Sequence, residues 1–211
     1  MGSDTLRRAG MVALAAGILC GCASMSKDEC VTVDWRTVGY EDGAAGQGAE
    51  RLASRRKACA EHGVAPDLTA YRTGRDEGLR EYCNAANGFR VGASGTVYGG
   101  ACPADLEPAF ADAYHAGRKL WRLESQLNDA NHGIAYRRAE IARIDEALAA
   151  SGFSVVGEAS TPEERAQALL DAKSLAERRG RLKAELATLE RDRGHYEAEL
   201  AEYREELAYN Y

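Results

Sequence analysis

The chain has 211 residues, a net charge of −6, 28% charged side chains and 7% aromatic ones. That is room for one ordinary domain, or a small domain with an extension, and composition rich in Ala, Leu, Glu and Arg suits exposed helices better than a thick core. No basic block is present, so there is no electrostatic footprint for a nucleic acid.

Arg7 and Arg8 precede the apolar run AGMVALAAGIL. As a helix it spans about 16 Å, half a bilayer core, so it is too short to cross and fits a secretory leader. Leu19-Cys20-Gly21-Cys22 behind it resembles a bacterial lipobox. Cleavage after Gly21 would remove residues 1–21 and leave Cys22 as an acylated first residue. Ala23 resembles outer-membrane sorting. A lipoprotein's several acyl chains meet the requirement of more than one chain for stable anchoring. Residues 22–29 then form a tether, and seven residues, Ala23 to Glu29, reach about 25 Å at full stretch.

Cys30, Cys59, Cys83 and Cys102 remain after cleavage. An even number in an exported chain reads as a disulfide framework, and wide gaps without a Cys-x-x-Cys pair argue against zinc. Four cysteines allow three pairings. One unbroken helix over 34–60 would hold Cys30 and Cys59 about 40 Å apart. A break at Gly46-Gln47-Gly48 lets two short helices fold back, which favours Cys30–Cys59 and leaves Cys83–Cys102.

An aromatic-then-glycine pattern recurs: WRTVGYEDGAAG (35–46), YRTGRDEGLREYC (71–83), FRVGASGTVYGG (89–100) and YHAGRKLW (114–121). Gly74 and Gly78 share a helix face, and each glycine costs about 1 kcal/mol in helix propensity. Repeating that cost implies close backbone approach between soluble helices, because Arg72, Arg75, Asp76, Glu77, Arg80 and Glu81 crowd the segment and exclude lipid. Gly63 suits a helix C-cap and Pro66-Asp67 the start of the next helix. Residues 84–102 lack helical spacing and read as a loop or small hairpin, with a turn at Asn87-Gly88. Gly88, Gly92 and Gly95 lack the lysine and hydroxyl of a phosphate loop.

No metal motif or nucleophile elbow occurs, and His62, His115, His132 and His195 are scattered. Among the acids able to pair, Asp34 reads as a helix cap, and Asp42 and Asp76 as facing water. No catalytic constellation and no cofactor are expected.

The order Cys30, Asp34-Trp35, Gly39, Asp42-Gly43, Gly46, Cys59, Tyr71, Gly74, Gly78-Leu79, Tyr82-Cys83, Asn87-Gly88, Gly92, Gly95, Tyr98, Cys102-Pro103 resembles the uncharacterised Gram-negative lipoproteins called domain of unknown function 2799. The resemblance covers roughly residues 28–120. It implies an exported lipoprotein with this cysteine set and brings no catalytic residues.

Asp105, with Pro108 in the first turn, opens a helix expected to run to about Ala150. Leu120, Leu127, Ile134, Ile141 and Leu148 recur by seven, beside Leu123 and Ile144. SGFSVVGEASTP breaks the spacing, and Thr161-Pro162-Glu163-Glu164 resembles a new helix start. Leu175, Leu182, Leu189, Tyr196 and Tyr203 then repeat by seven with Leu186, Leu200 and Leu207. Two such stripes joined by a short loop predict an antiparallel coiled-coil hairpin with arms over 105–150 and 162–209. Arg137, Arg179 and Arg193 interrupt the stripes, their stems expected to snorkel to water.

The expected fold is mainly α: a small disulfide-stapled bundle of short glycine-rich helices over 30–104, then the hairpin over 105–211. The expected role is that of an outer-membrane-anchored periplasmic lipoprotein, held by Cys22, whose hairpin contacts another envelope protein. The alternative is a ligand- or cell-wall-binding module with a pocket within 71–100, among Tyr71, Tyr82, Phe89 and Tyr98.

Overall fold

A computed structural model describes residues 25–156 and 161–210. The expected leader and lipobox, with Cys22, lie outside the described residues. Among those described, seven helices and their connections make up the fold: α1 (Lys27–Thr32), α2 (Trp35–Ala44), α3 (Glu50–Ala60), α4 (Leu68–Tyr82), α5 (Ala85–Ala93), α6 (Glu107–Val156) and α7 (Pro162–Asn210). The fold is mainly α, with stapled glycine-rich helices followed by a long antiparallel hairpin. The chain divides into two compact units between Glu81 and Tyr82, within the segment 30–104.

In the first unit the local chemistry sets every boundary. Ser26 and Glu29 form a capping box on α1, and Asp34 accepts from Arg36 N to cap α2. Gly46, at φ 65°, turns the chain after α2, and Gly63, at φ 70°, ends α3. Asp67 accepts from Thr69 N and Ala70 N at 3.0 Å to start α4. α2 and α4 run parallel and touch backbone to backbone. A β-carbon on Gly39 would lie 2.0 Å from Tyr71 O, and one on Gly43 would lie 2.3 Å from Arg75 O. Gly74 and Gly78 return the fit against Arg36 O and Tyr40 O. Only glycine permits that approach, so the propensity cost at these sites is offset by helix contact.

The second unit repeats the arrangement. Gly88 faces Phe110 O, Gly92 faces Tyr114 O and Arg118 N, and Gly117 faces Phe89 O and Ala93 N. α5 therefore lies parallel to the start of α6 as α2 lies to α4, with Ala113 in the place of Gly74. This corrects the loop expected over 84–102. Asn84 accepts from Asn87 N and caps a helix there. Asn87-Gly88, read as a turn, sits inside it, because Gly88 answers a carbonyl of α6 and not a turn.

Each unit carries one disulfide at the same place in its plan. Cys30–Cys59 (S–S 2.04 Å) and Cys83–Cys102 (S–S 2.15 Å) each have Cα atoms 5.6 Å apart. Each ties the residue region just before the glycine helix to the connector that brings the chain back. The connectors differ. The first, 45–67, contains α3; the second, 94–106, contains no helix.

α6 and α7 form the hairpin. Arg204–Glu124, Arg138–Glu190 and Arg178–Glu140 pair across it at 2.7, 2.7 and 2.5 Å, one number falling as the other rises. Leu123, Leu200 and Tyr203 are buried at the seam, with Leu120, Leu127 and Leu207 against them. The seam arginines do not merely snorkel: Arg137 meets Glu185 at 3.2 Å, and Arg179 meets Asp145. α6 continues to Val156, beyond the expected end near Ala150. Ser151–Val156 holds one glycine, a cost of about 1 kcal/mol, and no proline to stop the helix. Thr161 and Glu164 exchange hydrogen bonds at 2.8 and 3.2 Å, which starts α7.

Candidate binding groove

Between its two glycine helices the first unit has α3, where the connector of the second has no helix, and a buried charge holds α3 in place. Asp42, on α2, is 4% exposed. Its carboxylate accepts from Arg55 Nε and NH2 at 2.8 and 2.7 Å and from Tyr71 OH at 2.8 Å, with Arg51 Nε at 3.8 Å. Burial pushes the Asp42 carboxyl up, but hydrogen bonds from Arg55 and Tyr71 outweigh it and hold the group below its ordinary range. Burial and the same bond to Asp42 raise Tyr71 well above an ordinary phenol. The reading of Asp42 as facing water is therefore corrected: its partners stand 13 and 29 residues away, beyond local pattern.

The second unit supplies an internal comparison. Matching Gly43 to Gly92, and Arg75 to Tyr114, puts Val91 where Asp42 stands and Phe110 where Tyr71 stands. Val91 and Phe110 are buried too. A parallel glycine pair thus forms around an apolar couple just as well. A buried ion pair is weak evidence for stability, since apolar replacements are often neutral or better. Here the polar cluster instead fixes where Arg55, and so α3, is docked.

Docked this way, α3 turns Ala53, Arg56, Lys57 and Ala60 outward. With Val64, Ala65 and Pro66 of the following connector they line an open groove of about 390 Å³. The spacing of 53, 56, 57 and 60 is one helical face. Its floor is small and apolar, and its charges are two cations with no ion-pair partner among the described residues. Glu50 and Glu61, the nearest acids along α3, pair with neither. Met25 closes the same end of α3, with its carbonyl 3.2 Å from His62 Nε2 and its sulfur 4.0 Å from Cys59 Sγ.

The aromatics expected to line a pocket within 71–100 do other work. Tyr71 is 0% exposed, in the core with Cys30, Trp35, Val38 and Cys59. Tyr82 and Tyr98 pack on Phe110 with ring centroids 5.2 and 4.6 Å apart. Tyr98 OH donates to Glu107 and accepts from Cys102 N, and burial with that carboxylate pushes its phenol up to about 12. Phe89 is half-buried, and its carbonyl lies against Gly117. Among the described residues no cluster of three or more His, Cys, Asp or Glu could hold a metal ion, and no helix is long and apolar enough to cross a membrane.

Residues 34–119 match the family described as "Protein of unknown function (DUF2799)". The chain carries a DUF2799 domain. No curated protein and no solved structure matches the chain. The DUF2799 segment takes in both glycine-packed pairs, the Asp42 cluster and the groove. Cys30 precedes it, and the hairpin seam from Leu120 onward follows it. Sequence reasoning missed the groove. The available signal was the run Arg55-Arg56-Lys57, whose three cations cannot all find the acids of one helix face.

Proposed function

We propose that the chain is a lipid-anchored envelope protein that acts by binding. It is held to the periplasmic face of the outer membrane through Cys22 and engages another envelope protein through the α6–α7 hairpin. The hairpin carries the reading. Each arm gives one apolar stripe to the other, and beyond the first turns of α6, which pack on α5, the other faces of both arms are open. Off the stripe, Tyr136, Leu169 and Leu170 stand 59, 59 and 62% exposed. The leader, the lipobox and the two disulfides support the anchor and the oxidising compartment.

The test is a photo-reactive side chain at Tyr136 or Leu169, activated in intact cells. Discrete adducts with another protein are expected from at least one position. If neither position gives a protein adduct, the hairpin reading falls. Intact mass of detergent-extracted protein tests the anchor separately, with acyl chains expected on Cys22.

A binding-module reading keeps support at one place, the α3 groove, where partnerless cations flank an apolar floor.

A further inference from the structure

We infer that the α3 groove is a headgroup site for an anionic phospholipid. Arg56 and Lys57 would meet the phosphate, and the floor of Ala53, Ala60, Val64, Ala65 and Pro66 would take the glycerol and first methylenes. The inference rests on the anchored reading for its biological setting, not for its chemistry.

Three observations point to this occupant. First is charge complementarity. The only charged side chains lining the groove are two cations, and neither has a partner among the described residues. A guanidinium and an ammonium lining one groove suit a phosphate diester. Second is the floor. Sugars and acidic peptides call for hydrogen-bonding walls, whereas five small apolar side chains offer contact only to hydrocarbon. Third is the chain before the described residues. Met25 is seated at the C-terminal end of α3, on His62 and Cys59, and Cys22 is three residues earlier. Three residues reach about 10 Å, so acyl chains on Cys22 would keep this end of α3 at the lipid surface. A basic residue at an anionic surface gains about fivefold in affinity, and the effect is screened by salt.

The groove also answers the question left by the comparison of the two units. The second unit builds its glycine pair with a helix-free connector and an apolar couple. The first adds α3, staples it through Cys59 and docks it through Asp42 and Arg55. What the addition supplies on its outer face is this groove.

The experiment separates the headgroup site from the anchor. Purified full-length protein carrying Cys22→Ser is titrated with a monomeric short-chain phosphatidylglycerol, with the matching phosphatidylcholine and with inorganic phosphate. The readout is the acetylation rate of each lysine by mass spectrometry. Saturating phosphatidylglycerol is expected to cause the loss of most Lys57 acetylation while leaving Lys173 and Lys183 unchanged. Arg56→Gln should abolish most of that protection with no change in circular dichroism. Equal slowing by phosphatidylcholine would overturn the proposal, because charge would then be irrelevant. Equal slowing by inorganic phosphate would overturn it as well, leaving a simple anion site. Unchanged Lys57 reactivity in all three would remove the site altogether. None of these outcomes depends on acylation, which the intact mass of the wild-type chain decides.

Discussion

Gly74 and Gly180 are both helical glycines, and alanine should move stability in opposite directions at the two. A β-carbon on Gly74 would meet Arg36 O at 1.8 Å and Tyr40 N at 2.9 Å, both backbone atoms of α2. Backbone cannot rotate away, so α2 and α4 must separate, a cost of about 1–3 kcal/mol or more. Nothing lies within 4 Å of the same atom on Gly180, where alanine gains about 1 kcal/mol of helix propensity. Thermal unfolding should therefore show a lower midpoint for Gly74→Ala and a higher one for Gly180→Ala. A neutral Gly74→Ala would mean that the helices do not touch as described. Asp42 makes a second residue-scale prediction, through pH. Its carboxyl titrates below the usual 3.8 in the folded chain, so the folded state binds fewer protons than the unfolded one in that window. Its contribution is fully present above the ordinary aspartate range and is lost as pH falls through the depressed value. Urea midpoints measured between about pH 6 and about pH 2 should fall less steeply in Asp42→Asn than in the wild type. Parallel curves would show that Asp42 does not titrate against Arg55 and Tyr71.

At the scale of elements, the two glycine pairs say what α3 needs. Removing Asp42 alone, as Asp42→Val, leaves Arg55 as a part-buried cation without its partner, at a cost of up to about 3 kcal/mol. The triple change Asp42→Val, Tyr71→Phe, Arg55→Met copies the apolar couple of the second unit and should recover most of that loss. Hydrogen exchange separates fold from docking. Amides of α2 and α4 should regain protection in the triple variant, while those of α3 should stay faster than in the wild type. Full protection of α3 would mean that the disulfide Cys30–Cys59 holds it unaided. The elements also differ in how far they could be read beforehand. α2, α3 and α4 were legible because their ends are written locally, in Asp34, Gly46, Gly63 and Asp67. The break at Gly46 also made the pairing of Cys30 with Cys59 geometrically sound. α5 was not legible. Glycine favours a turn for the same reason that it permits a helix to touch another helix, the missing β-carbon, and what decides between them is the Phe110 and Tyr114 carbonyls. Those lie a connector away in sequence. The groove failed to show for a related reason, since its floor of alanines carries no periodic signal of its own.

In the second unit as a whole, α6 serves two structures with one helix. Its first turns, through Phe110, Tyr114 and Gly117, pack against α5, and from Leu120 onward it pairs with α7. The DUF2799 match ends at residue 119, at this change of partner, although no break in the helix marks it. The joint is itself bridged from the far end of α7. Tyr203 OH donates to Ala116 O at 2.9 Å, Lys119 Nζ stands 3.9 Å above the Tyr203 ring, and Lys119 reaches Glu206 at 3.8 Å. The exposed ion pair adds little, about 0–1 kcal/mol, so the ring and its hydroxyl carry the contact. Tyr203→Phe should cost about 1 kcal/mol for the hydrogen bond, and Tyr203→Ala about 3–5 kcal/mol for the ring with it. Because Ala116 neighbours Gly117, which seats Phe89 O and Ala93 N, the loss should not stay in the hairpin. Hydrogen exchange should report faster opening of α5 amides in Tyr203→Ala, and far less change in Tyr203→Phe. If α5 keeps its wild-type protection while the hairpin seam opens, the DUF2799 segment and the hairpin are separate folding units joined by a continuous helix.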